Sequence, residues 1–314
     1  MLTTLCLVKK TSPVEYSHEY KSMRRYAEHL QLQDFRLRTM QGYYRHMRLI
    51  WQHFKSDPSG LSEEQLRQYY VHKRTEGGWA PKSCRQSLAA AKHFYRGMLG
   101  KKYTSLDAIK ARDRETLPTV LTVDELRRLF AHVKFNRYRV PLLLIYACGL
   151  RVNECTHLTV DDIDGPGNRL FIRDGKGGKD RYTILSTPVY RLLQDYWRQH
   201  KNPKWLFPSV GRGRCVNAAA RMGASCEPMQ SHGLGLRLLE AARAAGITKQ
   251  VTCHILRHSF ATHLAAAGVP LHQLQSYLGH AHIETTTVYT HLMPINHIEA
   301  IGHIDGLIEP ILRR

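Results

Sequence analysis

Tyr289 ends the run "LGHAHIETTTVY", nine residues after His280. It is one of 16 tyrosines, and packing is the ordinary use of such a residue. A phenol with a reference pKa of about 10 is a poor nucleophile unless a base and a positive site assist it. Residues able to do both lie upstream. "HILRH" contains His254 and Arg257, "CGLRVNE" contains Arg151, and "DGKGGKDR" contains Lys176. Two guanidinium groups can hold the nonbridging oxygens of a phosphodiester as charge builds in a pentavalent transition state. A lysine or histidine can protonate the leaving sugar oxygen. Two arginines, a lysine, two histidines and a tyrosine therefore make the set that phosphoryl transfer through a covalent phosphotyrosine needs, with the arginines in place of a metal.

Each residue also has a plainer reading. With Thr252 as N-cap, Leu256, Phe260 and Leu264 form an apolar helical spine, and Arg257 falls at its edge. An arginine there needs either a structural carboxylate or an anionic ligand. Arg151 alone reads as a cation at a helix end, and Lys176 alone as a solvated hairpin lysine. The acidic run "DDID" (Asp161 to Asp164) precedes a Gly-Pro-Gly turn and reads as turn-forming rather than as a metal site. His258, His263, His282 and His291 add imidazoles without dedicated metal spacing or thiolate partners.

The elements that would position these groups begin at Thr122, whose Thr-x-x-Glu spacing to Glu125 caps a helix over "VDELRRLFAHV". An apolar helix over residues 137–148 stops at Gly149, and a short helix follows near Glu154. Strand-like runs around "DGKGGK" predict a β-hairpin. Helices are expected over 188–199, 234–245, 252–267, 271–278 and near 295–307. The basic stretch 210–233 reads as a long loop with one helical turn.

The first hundred residues read as helices over about 14–32, 39–55, from Ser62 onward, and 81–98. Ser62 and Gln65 have capping-box spacing, and Pro81 suits a first turn. On the second helix, Gln41, Arg45, Arg48, Gln52 and Lys55 share one face. On the fourth, Arg85, Lys92 and Arg96 flank a core arc of Cys84, Leu88, Ala91, Tyr95 and Met98. Such faces are either simply solvated or contact phosphates. Residues 1–100 are thus an expected helical domain, 101–119 a charged linker, and 120–314 a second, α+β domain.

The bulk charge bears on that choice. Lys and Arg outnumber Asp and Glu by 46 to 26, for a net charge of +20 and a pI near 9.8. The excess is spread along the chain, as suits a polyanionic partner. Seven scattered cysteines form no CxxC pair, which favours a reducing cytoplasm over a disulfide or zinc framework. No secretion signal or membrane span is read from the sequence.

Taken together, "ACGLRVNEC", "GKGGKDR" and "HILRHSFATHLAAAGVPLHQLQSYLGHAHIETTTVYTH" resemble, in order and spacing, the signature boxes of the tyrosine recombinase (phage integrase) family. The resemblance implies a mainly α fold with a small β-sheet, and an all-helical N-terminal core-binding domain that clamps double-stranded DNA with the catalytic domain. Tyr289 would be the nucleophile, Arg151 and Arg257 the phosphate ligands, and Lys176, rather than Lys179, the general acid. His254 would assist as acid/base, His280 would stabilise the transition state, and Glu154 would orient Arg151. Arg45, Arg48, Arg85, Lys92 and Arg96 would contact DNA.

The implied activity is site-specific recombination through a 3′-phosphotyrosyl intermediate and a Holliday junction, without metal or nucleotide cofactor. A homotetramer would assemble on paired sites, one dimer on each, at the bacterial nucleoid, with room for accessory DNA-bending or directionality proteins. The alternatives are a type IB-like relaxing enzyme and a catalytically silent architectural protein.

Overall fold

In a computed structural model, residues 20–33, 35–110, 119–173, 180–211 and 217–279 are described. The chain divides into two compact units, one ending at Thr116 and the other starting at Leu117.

The first unit is helical. It comprises α1 (Lys21–Leu32), α2 (Leu37–Phe54), α3 (Glu63–Thr75), α4 (Pro81–Lys92), a π-helical turn (His93–Met98) and α5 (Ser105–Ala108). Ser62 and Gln65 cap α3 reciprocally, side chain to backbone in both directions, and Pro81 occupies the first turn of α4. The apolar faces of these helices meet in one core that includes Met23, Tyr26, Leu30, Met47, Ile50, Leu66, Tyr69 and Phe94. Of the fourth helix's expected core arc, Cys84, Leu88, Ala91 and Tyr95 are buried there and Met98 packs against it. Residues 101–110, expected as linker, hold α5, and Leu106 is buried in this same core. One leucine in a four-residue helix gives no apolar period from which burial could be inferred.

The second unit is also mainly helical. It runs through α6 (Val123–Ala131), α7 (Asn136–Cys148), α8 (Val152–Thr156), β1 (Ile163–Asp164), β2 (Arg169–Ile172) and β3 (Arg181–Ile184). It continues with α9 (Thr187–His200), α10 (Ala218–Gly223), α11 (Ser231–Ala244), α12 (Cys253–Ala266) and α13 (Leu271–Leu278). Thr122 and Glu125 form the expected capping box. Helix α7 buries Val140, Leu142, Leu144, Ile145 and Cys148, as its nearly continuous apolar sequence requires.

The three strands form one antiparallel sheet in the order β1-β2-β3. The register sets Leu170 opposite Thr183 and Ile172 opposite Arg181, so Arg181 and Thr183 share the covered face of β3. The sequence indicated a hairpin; β1 is a third strand, and at two residues it is too short for alternation to be visible.

In the stretch 210–233, α10 stands where one helical turn was expected, and α11 starts at Ser231, three residues earlier than read from the sequence. The organiser lies outside it. The buried Asn202 side chain donates to the carbonyls of Met222, Gly223 and Ser225, and accepts from the backbone N–H groups of Lys204 and Trp205. Asp162 and Asp164 of the acidic run are taken up locally. Asp162 accepts from Thr159 and Arg173, and Asp164 from Gly167 and Arg169. No helix among the described residues is long and apolar enough to cross a membrane.

Candidate active site

The site is organised around a carboxylate. Helix α7 ends at Gly149 in the left-handed conformation (φ 63°), where a Cβ would lie 2.5 Å from the Phe260 ring. Glycine is therefore required both for the turn and for close packing. The turn delivers Arg151 to the N-cap of α8 and Glu154 to its third residue. The Arg151 backbone N–H donates to Glu154 Oε2 at 2.8 Å, and its Nη1 donates to Oε1 at 2.7 Å. From β3, Arg181 grips the same carboxylate with both ends of its fork, Nη1 to Oε1 at 2.9 Å and Nη2 to Oε2 at 2.8 Å. Arg257 Nη1 lies 3.7 Å from Oε2.

Burial raises the pKa of the Glu154 carboxyl, but hydrogen bonds and charge from Arg181, joined by hydrogen bonds from Arg151, outweigh it and hold the value at about 2. The group is ionised at any pH near neutrality.

The same three arginines also cap a helix. The last carbonyls of a helix have no partner within it and carry its negative dipole end. At the end of α13, Arg181 Nε donates to Tyr277 O at 3.0 Å, Arg257 Nη2 to Leu278 O at 2.5 Å, and Arg151 Nη2 to Gly279 O at 3.4 Å. The end of α7 converges on the same place, with Arg257 Nη1 donating to Gly149 O at 2.8 Å and Thr183 Oγ1 to Cys148 O at 3.0 Å. Among the described residues, three cations thus surround one carboxylate and two helix C-termini.

The three differ in access. The side chain of Arg151 is 26% exposed, that of Arg181 8% and that of Arg257 1%. Arg257 was expected at the edge of the core, bound to a carboxylate or a ligand. It lies deeper than that, enclosed by α13 and the α7 turn, where it donates to two carbonyl oxygens and has the Glu154 carboxylate 3.7 Å away. One turn earlier on α12, His254 is exposed, and its ring lies 4.2 Å from that of His258 at a steep angle. Burial first, then the charges of His254 and Arg257, lowers the His258 pKa to about 4, so His258 is neutral at physiological pH. His263 is a packing residue whose Nδ1 sits 2.9 Å from the Tyr146 hydroxyl.

The structure therefore brings Arg151 and Arg257 together and places His254 on the Arg257 helix. Lys176, Lys179, His280, His282, Tyr289 and His291 lie outside the described residues. Glu154 and Arg181 complete the cluster. Arg181 had no role in the sequence reading, although it closes "GKGGKDR". The available signal was its position two residues before Thr183 on a strand, which puts a guanidinium on the covered face, where it needs a carboxylate.

In the first unit, Arg45, Arg48 and Arg85 are exposed. Lys92 and Arg96 share one acidic partner, Asp107, at 2.8 and 2.6 Å. Asp107 belongs to α5, in the stretch read as linker.

Residues 119–294 match the Phage integrase family, and residues 23–105 match the Phage integrase, N-terminal SAM-like domain. The integrase/recombinase y4qK of Sinorhizobium fredii is 32% identical over 267 residues, covering 85% of this chain and 82% of that protein. The tyrosine recombinase XerD of Rhizobium meliloti is 30% identical over 278 residues, covering 81% and 85%. Among solved structures, a lambda integrase (residues 75–356) dimer bound to a COC′ core site matches with a TM-score of 0.69 at 17% identity, covering 85% of this chain and 93% of that one.

Proposed function

The chain belongs to the phage integrase family of tyrosine recombinases, and from that premise we propose that it cuts and rejoins duplex DNA at a specific site through a 3′-phosphotyrosyl link. The observation that carries the reading is the convergence of Arg151 and Arg257 on Glu154 at the end of α13, two residues before His280 in the sequence. Arg151, the most exposed of the three arginines, offers its guanidinium to a nonbridging oxygen of the scissile phosphate. Arg257 supplies buried positive charge from behind, where low dielectric strengthens it.

The Tyr289 phenol oxygen attacks phosphorus as its proton passes to His254. The bond from phosphorus to the 5′-oxygen breaks, and Lys176 protonates that oxygen. His280 donates a hydrogen bond to the developing charge. Attack by the 5′-hydroxyl of a partner strand on the phosphotyrosine reverses the step, so no phosphodiester is hydrolysed. Two duplex sites, each carrying a dimer, supply the partner strands and give a Holliday junction. The arginines provide the charge stabilisation, so the reaction proceeds without a metal or nucleotide cofactor.

The test uses sheared, lightly nicked genomic DNA of the source organism, because a nick beside the cleavage point lets the short 5′ fragment diffuse away and traps the adduct. Recovered protein–DNA adducts are digested, the attached residue is identified by mass spectrometry and the joined DNA is sequenced. A phosphotyrosine at Tyr289 on one recurring sequence, absent from Tyr289→Phe, is the expected result. A parent protein that binds the DNA and yields no adduct would sink the catalytic reading in favour of an architectural role. Adducts without joining between two different duplexes would indicate relaxation alone.

A further inference from the structure

We propose that Arg181 is a positioning residue for strand cleavage: it fastens the C-terminal end of α13 to the Glu154 carboxylate and so fixes where the chain leaves that helix toward His280 and Tyr289. The inference rests on the recombinase reading above and adds to it a residue outside the cluster of phosphate ligands.

Three observations on different elements support it. First, Arg181 binds Glu154 through both terminal nitrogens, which sets the carboxylate that Arg151 also uses. Second, its remaining nitrogen donates to the carbonyl of Tyr277, in the last turn of α13. One planar guanidinium therefore spans β3, α8 and α13, a geometry that the point charge of a lysine cannot reproduce. Third, its side chain forms the wall against which Gly279 sits. A Cβ at Gly279 would meet Arg181 Cδ at 2.7 Å, Nε at 3.0 Å and Cζ at 3.1 Å, while the Gly279 backbone adopts φ 62°. The chain must pass so close to Arg181 that only glycine fits, and the next residue is His280.

Arg181 is ill-suited to hold the phosphate itself. Its side chain is 8% exposed, and each of its three nitrogens already donates to a protein acceptor. It acts through Arg151, by fixing Glu154, and through the exit path of α13. Such placement matters to rate because an error of about 1 Å at a reacting group can cost on the order of 100-fold.

The experiment measures single-turnover adduct formation on a nicked duplex carrying the site recovered from genomic DNA, alongside the Kd for the intact duplex and the Tm of each protein. Arg181→Gln and Arg181→Lys should both slow adduct formation roughly 100-fold while Kd shifts less than about threefold, a split that misfolding would not give. The same loss should persist on a duplex with a 5′-bridging sulfur at the cleavage point. A thiolate leaves without a proton, so that substitution rescues loss of the general acid but not loss of position.

Gly279→Ala should slow the reaction as well, and combining it with Arg181→Gln should cost little beyond the larger single effect, because both break one contact. If Arg181→Gln folds poorly, Arg181→Lys, which keeps the charge opposite Glu154, carries the test. A parent that forms adduct together with an Arg181→Lys that forms it equally fast overturns this inference alone. So does rescue by the bridging sulfur, which would make Arg181 part of leaving-group protonation. A parent that forms no adduct on any DNA overturns the recombinase reading and this inference with it.

Discussion

The cations of α2 and α4 and the cations around Glu154 carry the same charge, but the protein holds them in opposite ways. Arg45, Arg48 and Arg85 project from exposed helical positions. Arg151, Arg181 and Arg257 are built into hydrogen bonds with one buried carboxylate and with the ends of two helices. An exposed cation attracts phosphate at long range, is screened by salt and tolerates substitution by another cation. A buried guanidinium has its direction fixed, and each donor that loses its partner costs stability. The first arrangement suits affinity without sequence information. The second suits stabilisation of charge that exists only in a transition state.

The largest expected effect comes from removing the carboxylate at the centre of the second arrangement. Glu154→Ala leaves two nearly buried guanidinium groups facing one another, and breaking such a network costs about 3–5 kcal/mol. For a unit of this size that is a fall of on the order of 10 °C in Tm, read by calorimetry. If Glu154→Ala melted with the parent, the carboxylate would not be the organising group.

Acid should produce part of the same loss in the parent. The folded pKa of Glu154 is about 2, below an unfolded value of about 4.3, so the folded state binds its proton less readily. A depressed carboxyl pKa contributes stability that is complete above the unfolded value and disappears as pH falls toward the folded one. Roughly 3 kcal/mol should therefore be lost between about pH 5 and pH 2. Glu154→Gln has no carboxyl to titrate, so its denaturant midpoint should be flatter than the parent's across that window. Parallel curves would show that other groups dominate the acid response.

Arg151 should separate activity from stability. Its side chain is the most exposed of the three, and its contact with Gly279 is long. Arg151→Lys should change stability by less than about 1.5 kcal/mol and slow adduct formation by on the order of 100- to 1,000-fold, since an ammonium cannot donate in parallel to two oxygens. Arg257→Lys should lose both, because Arg257 bridges Gly149 and Leu278 from inside the core. Equal behaviour of the two variants would erase the distinction between a reachable and an enclosed arginine.

Much of this site was legible because its parts are local. Arg151 and Glu154 are three residues apart at a helix start, His254 and Arg257 one turn apart on a capped helix, and Gly149 is a helix stop. The recurring helical period similarly marked the core of the first unit. What could not be read was long-range. Arg181 meets Glu154 across 27 positions and Tyr277 across 96, and no pattern in the intervening sequence encodes either contact. Asn202 orders α10 from about 20 positions away through carbonyls, which every residue type offers equally. The enclosure of Arg257 was missed for the same reason, because it depends on α13 closing over α12 rather than on the face that α12 presents.

The smallest effects belong to the exposed cations, where Asp107 gives the finest test. Replacing Arg45 and Arg48 together by alanine should weaken DNA binding and, if both neutralise phosphates, flatten the log–log salt slope by about 2, from a parent value near −7 for ~8 phosphates. Asp107 works in the opposite direction. It ion-pairs with Lys92 and Arg96 on an exposed surface, where such pairs add little to stability. Asp107→Asn should therefore leave Tm nearly unchanged while releasing two cations toward solvent. If that face meets DNA, binding tightens severalfold at low salt and the slope steepens by up to about 2, with the gain vanishing as salt is raised. An Asp107→Asn protein whose affinity and slope match the parent's would mean that Lys92 and Arg96 do not face DNA, leaving Arg45, Arg48 and Arg85 to carry the first unit's contacts.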